Sequence, residues 1–237
     1  MNMRKIFLTA AFSLATLLFN SCLVRINEKA IRNNTLMADG VMVTRTLSLE
    51  ETVRSYLVLG SGDFSFVQAD TDPYLEITAS ENIMPYLRAI VDDGTLTCRF
   101  WSDSVGNVNQ GKIVVVLHAR DLEGVQVTGS GDVRIGRLVR EGDFSASIVG
   151  SGDVRISGLE CENLNLSVAG SGDMDIDVAA KDKISAVVTG SGDVRLAGTA
   201  DRASFFVAGS GDIDAGGLKV ANDISTSVKG RGDIRTR

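Results

Sequence analysis

"GSGDVRIG" occupies residues 129–136, and close copies of its first four residues return along the rest of the chain. GSGD begins at 60, 129, 150, 170, 190 and 209, and GRGD begins at 230. From Gly129 onward the steps are 21, 20, 20, 19 and 21 residues. A near-constant period of this length marks a stacked architecture, whose repeats each form one supersecondary unit unable to bury its apolar face alone.

Within each unit the residues alternate with period two, the mark of a strand with one buried face. Two positions before the motif stand Val127, Ile148, Val168, Val188, Val207 and Val228. The first residue after the motif is Val133, Val154, Met174, Val194, Ile213 or Ile234. The positions between these are mostly Ser, Asn, Thr, Arg or Asp. Each unit is therefore a strand, a sharp GSG bend, a second short strand and a turn that often contains Gly. Strands stacked at about 4.8 Å make six such coils a rod roughly 25–30 Å long. Helical periodicity is absent throughout. The sequence predicts an all-β fold, a β-solenoid built as a single-stack β-helix of about 20-residue coils over 121–237.

Residues 45–120 are different. "RSYLVLGSGDFSFVQAD" holds one early motif, and "YLEITAS", "LTCRFW" and "KIVVVLHA" have strand character. Turns are expected near Thr71–Pro73 and Asp92–Gly94, and one helical turn in "ENIMPYLRAI", broken at Pro85. Tyr56, Phe64, Phe66, Tyr74, Tyr86, Phe100 and Trp101 gather here. This predicts a β-rich N-terminal head that caps the first coil and shares its core.

The N-terminus carries a targeting pattern. Arg4 and Lys5 precede the 14-residue apolar run "IFLTAAFSLATLLF", too short to span a bilayer, and "FNSC" ends at Cys22. Residues 1–21 have the layout of a bacterial lipoprotein signal, with Cys22 as the lipid attachment residue and 22–44 as a tether. Phe19 and Asn20 depart from the usual box, so an ordinary signal peptide cut nearby is the competing reading. Without Arg4 and Lys5 the chain has 22 basic and 30 acidic residues, a net charge of −8. Acidity without a basic cluster argues against nucleic acid. Cys98 and Cys161, far apart, are expected as separate buried small side chains rather than a disulfide framework.

Serial GSGD units behind such a signal resemble the putative auto-transporter adhesin, head GIN domain family of bacterial cell-envelope proteins. The resemblance spans roughly residues 45–237. It implies an all-β, β-helix-like fold and implies little about activity.

The motif aspartates Asp132, Asp153, Asp173, Asp193, Asp212 and Asp233 invite a metal reading. Calcium-binding nonapeptide repeats place Gly and Asp at other offsets, and calcium takes six to eight oxygens where each coil here supplies one carboxylate. A structural corner accounts for more. Its glycines permit a tight bend and close approach, while Ser and Asp accept nearby backbone N–H groups. No metal or cofactor is expected. The RGD at 231–233 sits in the motif register, with Arg231 in place of serine, so integrin recognition is not expected. One outward column, Arg134, Arg155, Asp175, Arg195, Asp214 and Arg235, places opposite charges on neighbouring coils. It is either a solvated ladder of ion pairs or a binding stripe for anionic or zwitterionic polymers.

Catalysis needs a singular constellation in a cleft. Equivalent aspartates in every coil, short connecting segments and a single histidine, His118 at the end of an apolar run, do not provide one. The expected function is a non-catalytic, lipid-anchored envelope protein, an adhesin or display module on a rigid solenoid. The alternatives are a polysaccharide-acting β-helix lyase or glycosidase and a purely structural envelope assembly protein. Expected partners are the membrane through Cys22 and envelope glycans or surface proteins, with the protein a monomer or weak dimer. Its expected location is the outer membrane, facing the surface or the periplasm. Thr226, Thr236 and the basic Lys229, Arg231, Arg235 and Arg237 of the sixth unit are expected to protect an open edge from polymerising.

Overall fold

Alternation with period two sorts the repeat into two long sheets that face each other across one core. The computed structural model describes residues 31–32, 35–100, 107–109 and 111–236. The expected signal segment, Cys22 and Trp101 lie outside the described residues. In chain order the N-terminal strands are β1 (Ile31–Arg32), β2 (Thr35–Met37), β3 (Met42–Ser48), β4 (Ser55–Gly60) and β5 (Asp63–Gln68). Then come β6 (Tyr74–Ser80), β7 (Leu87–Asp92), β8 (Thr95–Phe100), β9 (Asn107–Asn109) and β10 (Val114–Ala119).

In the repeats, the strand before each motif joins a front sheet: β11 (Gly124–Gly129), β14 (Phe144–Gly150), β16 (Leu164–Gly170), β18 (Lys183–Gly190), β20 (Arg202–Gly209) and β22 (Ile224–Gly230). The strand after it joins a back sheet: β12 (Val133–Ile135) with β13 (Leu138–Val139), β15 (Val154–Cys161), β17 (Met174–Ala180), β19 (Val194–Ala200), β21 (Ile213–Val220) and β23 (Ile234–Arg235). All pairings between coils are parallel and in motif register, so Val168 lies on Ile148 and beneath Val188, and Met174 lies between Val154 and Val194. These residues are buried, and one continuous cluster runs from Leu36 to Leu218. The solenoid is the one that the period predicts.

The copy at 60–63 belongs to the same ladder. Gly60 pairs with Gly129 and Phe64 with Val133, both in parallel strands. Beneath β4 and β5 lie β8 and β10, parallel again but joined by a longer connection without the motif. Antiparallel β7, and β6 with β3, then finish the front and back sheets. The β7–β8 hairpin turns on Asp93 (φ 46) and Gly94 (φ 75), the double positive φ that suits the twist of a two-residue hairpin. β6, β8 and β10 are the strands expected in the head, and a single 3-10 turn at Met84–Tyr86 contains Pro85. β1, β2 and β9 form a separate small sheet; β1, β2 and the start of β3 fall within residues 22–44.

One detail differs from the expected unit. The Gly-containing segment after the short strand is mostly not the second turn. In two repeats it lies within the back strand at a bulge, with register shifts between Ile156 and Leu159 and between Arg195 and Ala197. Gly198, at φ +116 against the carbonyl of Val178, stays in regular register, whereas Gly158 in β15 and Gly216 in β21 lie where each of those strands carries one residue more than its partner. An extra residue there bends the strand without ending it. The chain reverses later, near Glu162, Asp182, Asp201 and Asn222.

Candidate functional site

The GSGD corner is built by backbone approach. In the stacked corners the first glycine has φ between +128 and +148, a region that disfavours any residue with a Cβ. A Cβ at Gly170 or Gly172 would also collide with the carbonyl oxygen of Gly150 or Gly152 in the coil below. That approach is productive, because the Gly150 oxygen accepts the N–H of Ser171 at 2.8 Å and the Gly170 oxygen that of Ser191 at 2.8 Å.

The motif aspartates join the same ladder. The backbone N–H of Asp153 donates to Oδ1 of Asp132 at 3.2 Å, and that of Asp173 to Asp153 at 3.1 Å. Asp193, Asp212 and Asp233 donate in turn to Asp173, Asp193 and Asp212 at 2.8, 2.8 and 2.7 Å. Each acceptor therefore serves the next coil rather than its own turn. An amide dipole stands between successive carboxylates, which offsets the repulsion a stack of like charges would otherwise carry. The RGD segment obeys the same geometry: Arg231 N–H donates to Gly209 O at 2.7 Å, as serine does elsewhere.

The outward charged column is in register, Arg134 beside Arg155, then Asp175, Arg195, Asp214 and Arg235. Its ion pairs are not a simple ladder between coils. Arg134 and Arg155 turn to the motif carboxylates of their own coils, Asp132 at 3.0 Å and Asp153 at 2.9 Å. Asp214 receives Arg235 from the next coil through Nε at 3.0 Å and Nη2 at 2.6 Å, and Gly216 N–H at 3.0 Å. The Gly216 amide first, then Arg235, hold its carboxyl below the usual carboxylate range. Arg155, Asp175, Arg195 and Asp214 line a shallow open groove of about 260 Å³ with Asp173 and Asp193. Among the described residues, no group of three or more His, Cys, Asp or Glu is placed to hold a metal ion.

A second ladder at the opposite turn was not anticipated. Asn163 donates its N–H and Nδ2 to Asp143 Oδ1, at 3.2 and 2.8 Å, and Lys183 N–H donates to Asn163 Oδ1 at 3.2 Å. Arg202 pairs with Asp182 one coil away. Its signal is a polar residue seven positions before the motif, at Asp143, Asn163, Lys183, Arg202 and Asp223. The change of residue type along that column hides it from a search for hydrophobic alternation.

Cys98 and Cys161 are free thiols. Burial pushes Cys98 up to about 12 and Cys161 to about 11, so both are unreactive at neutral pH. His118 stacks on Tyr74 with ring centroids 4.3 Å apart, and its Nε2 lies 3.5 Å from Glu76. This cluster sits on a strand face rather than in a cleft.

The fold agrees with what the chain resembles. The family model described as "Putative auto-transporter adhesin, head GIN domain" matches residues 57–181 and 158–237. The chain belongs to that family. A solved structure from Parabacteroides distasonis ATCC 8503, described as a putative lipid binding protein, is 25% identical with TM-score 0.72, covering 86% of this chain and 99% of that one. A putative adhesin from the same strain is 22% identical with TM-score 0.74, covering 86% and 100%. A putative adhesin from Bacteroides fragilis NCTC 9343 is 22% identical with TM-score 0.64, covering 85% and 100%. Among curated proteins none matches the chain in sequence. No helix among the described residues is long and apolar enough to cross a membrane.

Proposed function

We propose that this chain is a non-catalytic adhesin of the bacterial cell envelope, anchored through a lipid on Cys22 and displaying a rigid solenoid. The observation that carries the reading is the aspartate ladder. From Asp132 to Asp212 each motif carboxylate is committed to the amide of the next coil, so the repeated acids serve the stack and leave the flanks for recognition. The corner residues Asp132, Asp153, Asp173, Asp193, Asp212 and Asp233 are structural in this reading. The stripe of Arg134, Arg155, Asp175, Arg195, Asp214 and Arg235 is the contact surface for an anionic or zwitterionic envelope polymer. Arg195 makes no ion pair within 4.0 Å among the described residues and lies on the groove wall near enough to Asp214 to favour its ionised form, where a bound anionic group would find both charge and donors.

Anchoring and display are tested together. Cys22→Ala should move the protein from the membrane fraction to the soluble fraction and abolish incorporation of labelled fatty acid. On intact cells, the wild type should be cleaved by added protease, and Arg195→Ser should lower cell attachment without lowering the amount displayed. Absence of lipid label in the wild type removes the anchor, and full protease protection removes surface adhesion.

A further inference from the structure

The outer faces of the two sheets differ in charge. On the back sheet, arginines and aspartates follow one another from coil to coil. On the front sheet, the three outward positions nearest the corner carry no charged side chain in any of β4, β11, β14, β16, β18 or β20. Register places Leu57, Gln126, Ser147, Ser167, Val187 and Phe206 in one outward column of that face. In the column beside it, Leu59 and Val149 are 40% and 47% exposed, two of the chain's exposed large hydrophobics. Charge returns at the margin, with Asp143, Lys183 and Arg202 at the strand starts and Lys229 on the next coil.

We infer that this face is where two copies of the chain pack together, sheet against sheet. Three observations select a second copy as the occupant. First, the chain has a net charge of −6, so copies repel through most of their surface, and this uncharged face lets them meet without opposing like charges. Second, a neutral centre with exposed Leu59 and Val149 and a charged rim has the anatomy of a protein interface. Third, six strands at about 4.8 Å by five residues at about 3.3 Å give roughly 450–500 Å² of sheet per copy, or about 1,000 Å² in the pair, the lower bound for a specific interface. A twofold axis lying in the plane between the two faces, over their centre, brings each copy's Ser147 and Ser167 nearest those of the other copy. Their small side chains let the sheets approach at about 10 Å, the ordinary spacing of stacked sheets. The dimer forms at high rather than trace concentration and leaves both charged stripes free, so it doubles the contact surface without covering it.

Sedimentation equilibrium of the purified protein over a roughly hundredfold concentration series tests this. The wild type should pass from one chain toward two as concentration rises, and added salt should leave the association unchanged or strengthen it, because the copies are like-charged. Ser167→Lys, at the face centre, should weaken the dimer at least about tenfold, since it sets two ammonium groups against each other. Val149→Lys gives an independent reading on a more exposed site, and Arg195→Ser on the back face should dimerise like the wild type. Circular dichroism of each variant should show the β fold intact. A wild type that stays a single chain throughout, or lysine variants that dimerise normally, would overturn the inference. So would a dimer that dissociates in salt, which would assign association to charged edges. Monomers whose front face is needed to retain a neutral polysaccharide would give the face to a glycan instead.

Discussion

Gly170, in the middle of the array, has φ +141 and lies against the backbone of Gly150, whereas Gly60, at the first corner, has φ +85 and nothing within 4 Å of where its Cβ would stand. The two occupy the same place in the same motif. The coil below Gly170 has a corner, while the β8–β10 coil below Gly60 connects by a longer path. The comparison separates two demands on one residue type. A bend needs positive φ, and a stack needs the absence of a side chain. Only the second explains why both glycines recur in every unit.

The largest expected effect follows from this pair. Gly170→Ala should combine backbone strain with overpacking, each about 1–3 kcal/mol, and destabilise by about 4 kcal/mol in total. Gly60→Ala meets only the conformational cost, about 1–2 kcal/mol. Urea unfolding of the two variants measures the difference. Equal losses would break the comparison and make the corner a local turn rather than a stacking device.

The aspartates allow the same contrast at smaller magnitude. Asp193 accepts the Asp212 amide at 2.8 Å, whereas Asp63 has Arg134 at 3.9 Å as its charged neighbour. Asp193→Ala should cost about 1–2 kcal/mol through the lost charge-assisted hydrogen bond, and Asp63→Ala well under about 1 kcal/mol. Calcium should leave the wild-type melting temperature unchanged. A large rise with calcium that disappears in Asp193→Ala would turn the ladder into a metal site.

What the sequence discloses divides along the same line. Period and alternation are properties of covalent spacing, so both sheets, their register and the buried columns are legible from Val125 onward. The direction of the aspartate hydrogen bonds is not, because the residue type is the same whether its carboxylate takes an N–H of its own turn or one about 20 residues on in the next coil. Gly158 and Gly216 are legible as special, but a glycine that bulges a strand and one that ends it have the same sequence signature. At the N-terminal end, Asp93–Gly94 signals its hairpin, yet the parallel pairing of β4 with β8 joins residues 40 apart with no motif to mark the match. The charged column was legible as a column, while the choice of Arg155 for its own Asp153 depends on side-chain reach that spacing does not encode.

The smallest effect sharpens the comparison on the back face, between Asp214, gripped by Gly216 N–H and Arg235, and Asp175, which has no ion pair within 4.0 Å among the described residues. The Asp214 carboxyl is held below its ordinary value, first by the Gly216 amide and then by Arg235, so the folded state favours the ionised form. Its contribution is therefore present above the unfolded carboxyl's pKa, about 3.9, and is lost as pH falls through the lower folded value. Because the pair is exposed, the contribution stays under about 1 kcal/mol. Asp214→Asn should lower the melting temperature slightly at pH 7, and that deficit should close on acidification below about pH 4, where the wild type loses the same charge. Asp175→Asn should show no deficit at either pH. If the Asp214→Asn deficit persisted undiminished in acid, the carboxylate's charge would not be its source. The hydrogen-bond geometry at Gly216 would then carry the whole effect, and charge on this face would belong to recognition alone.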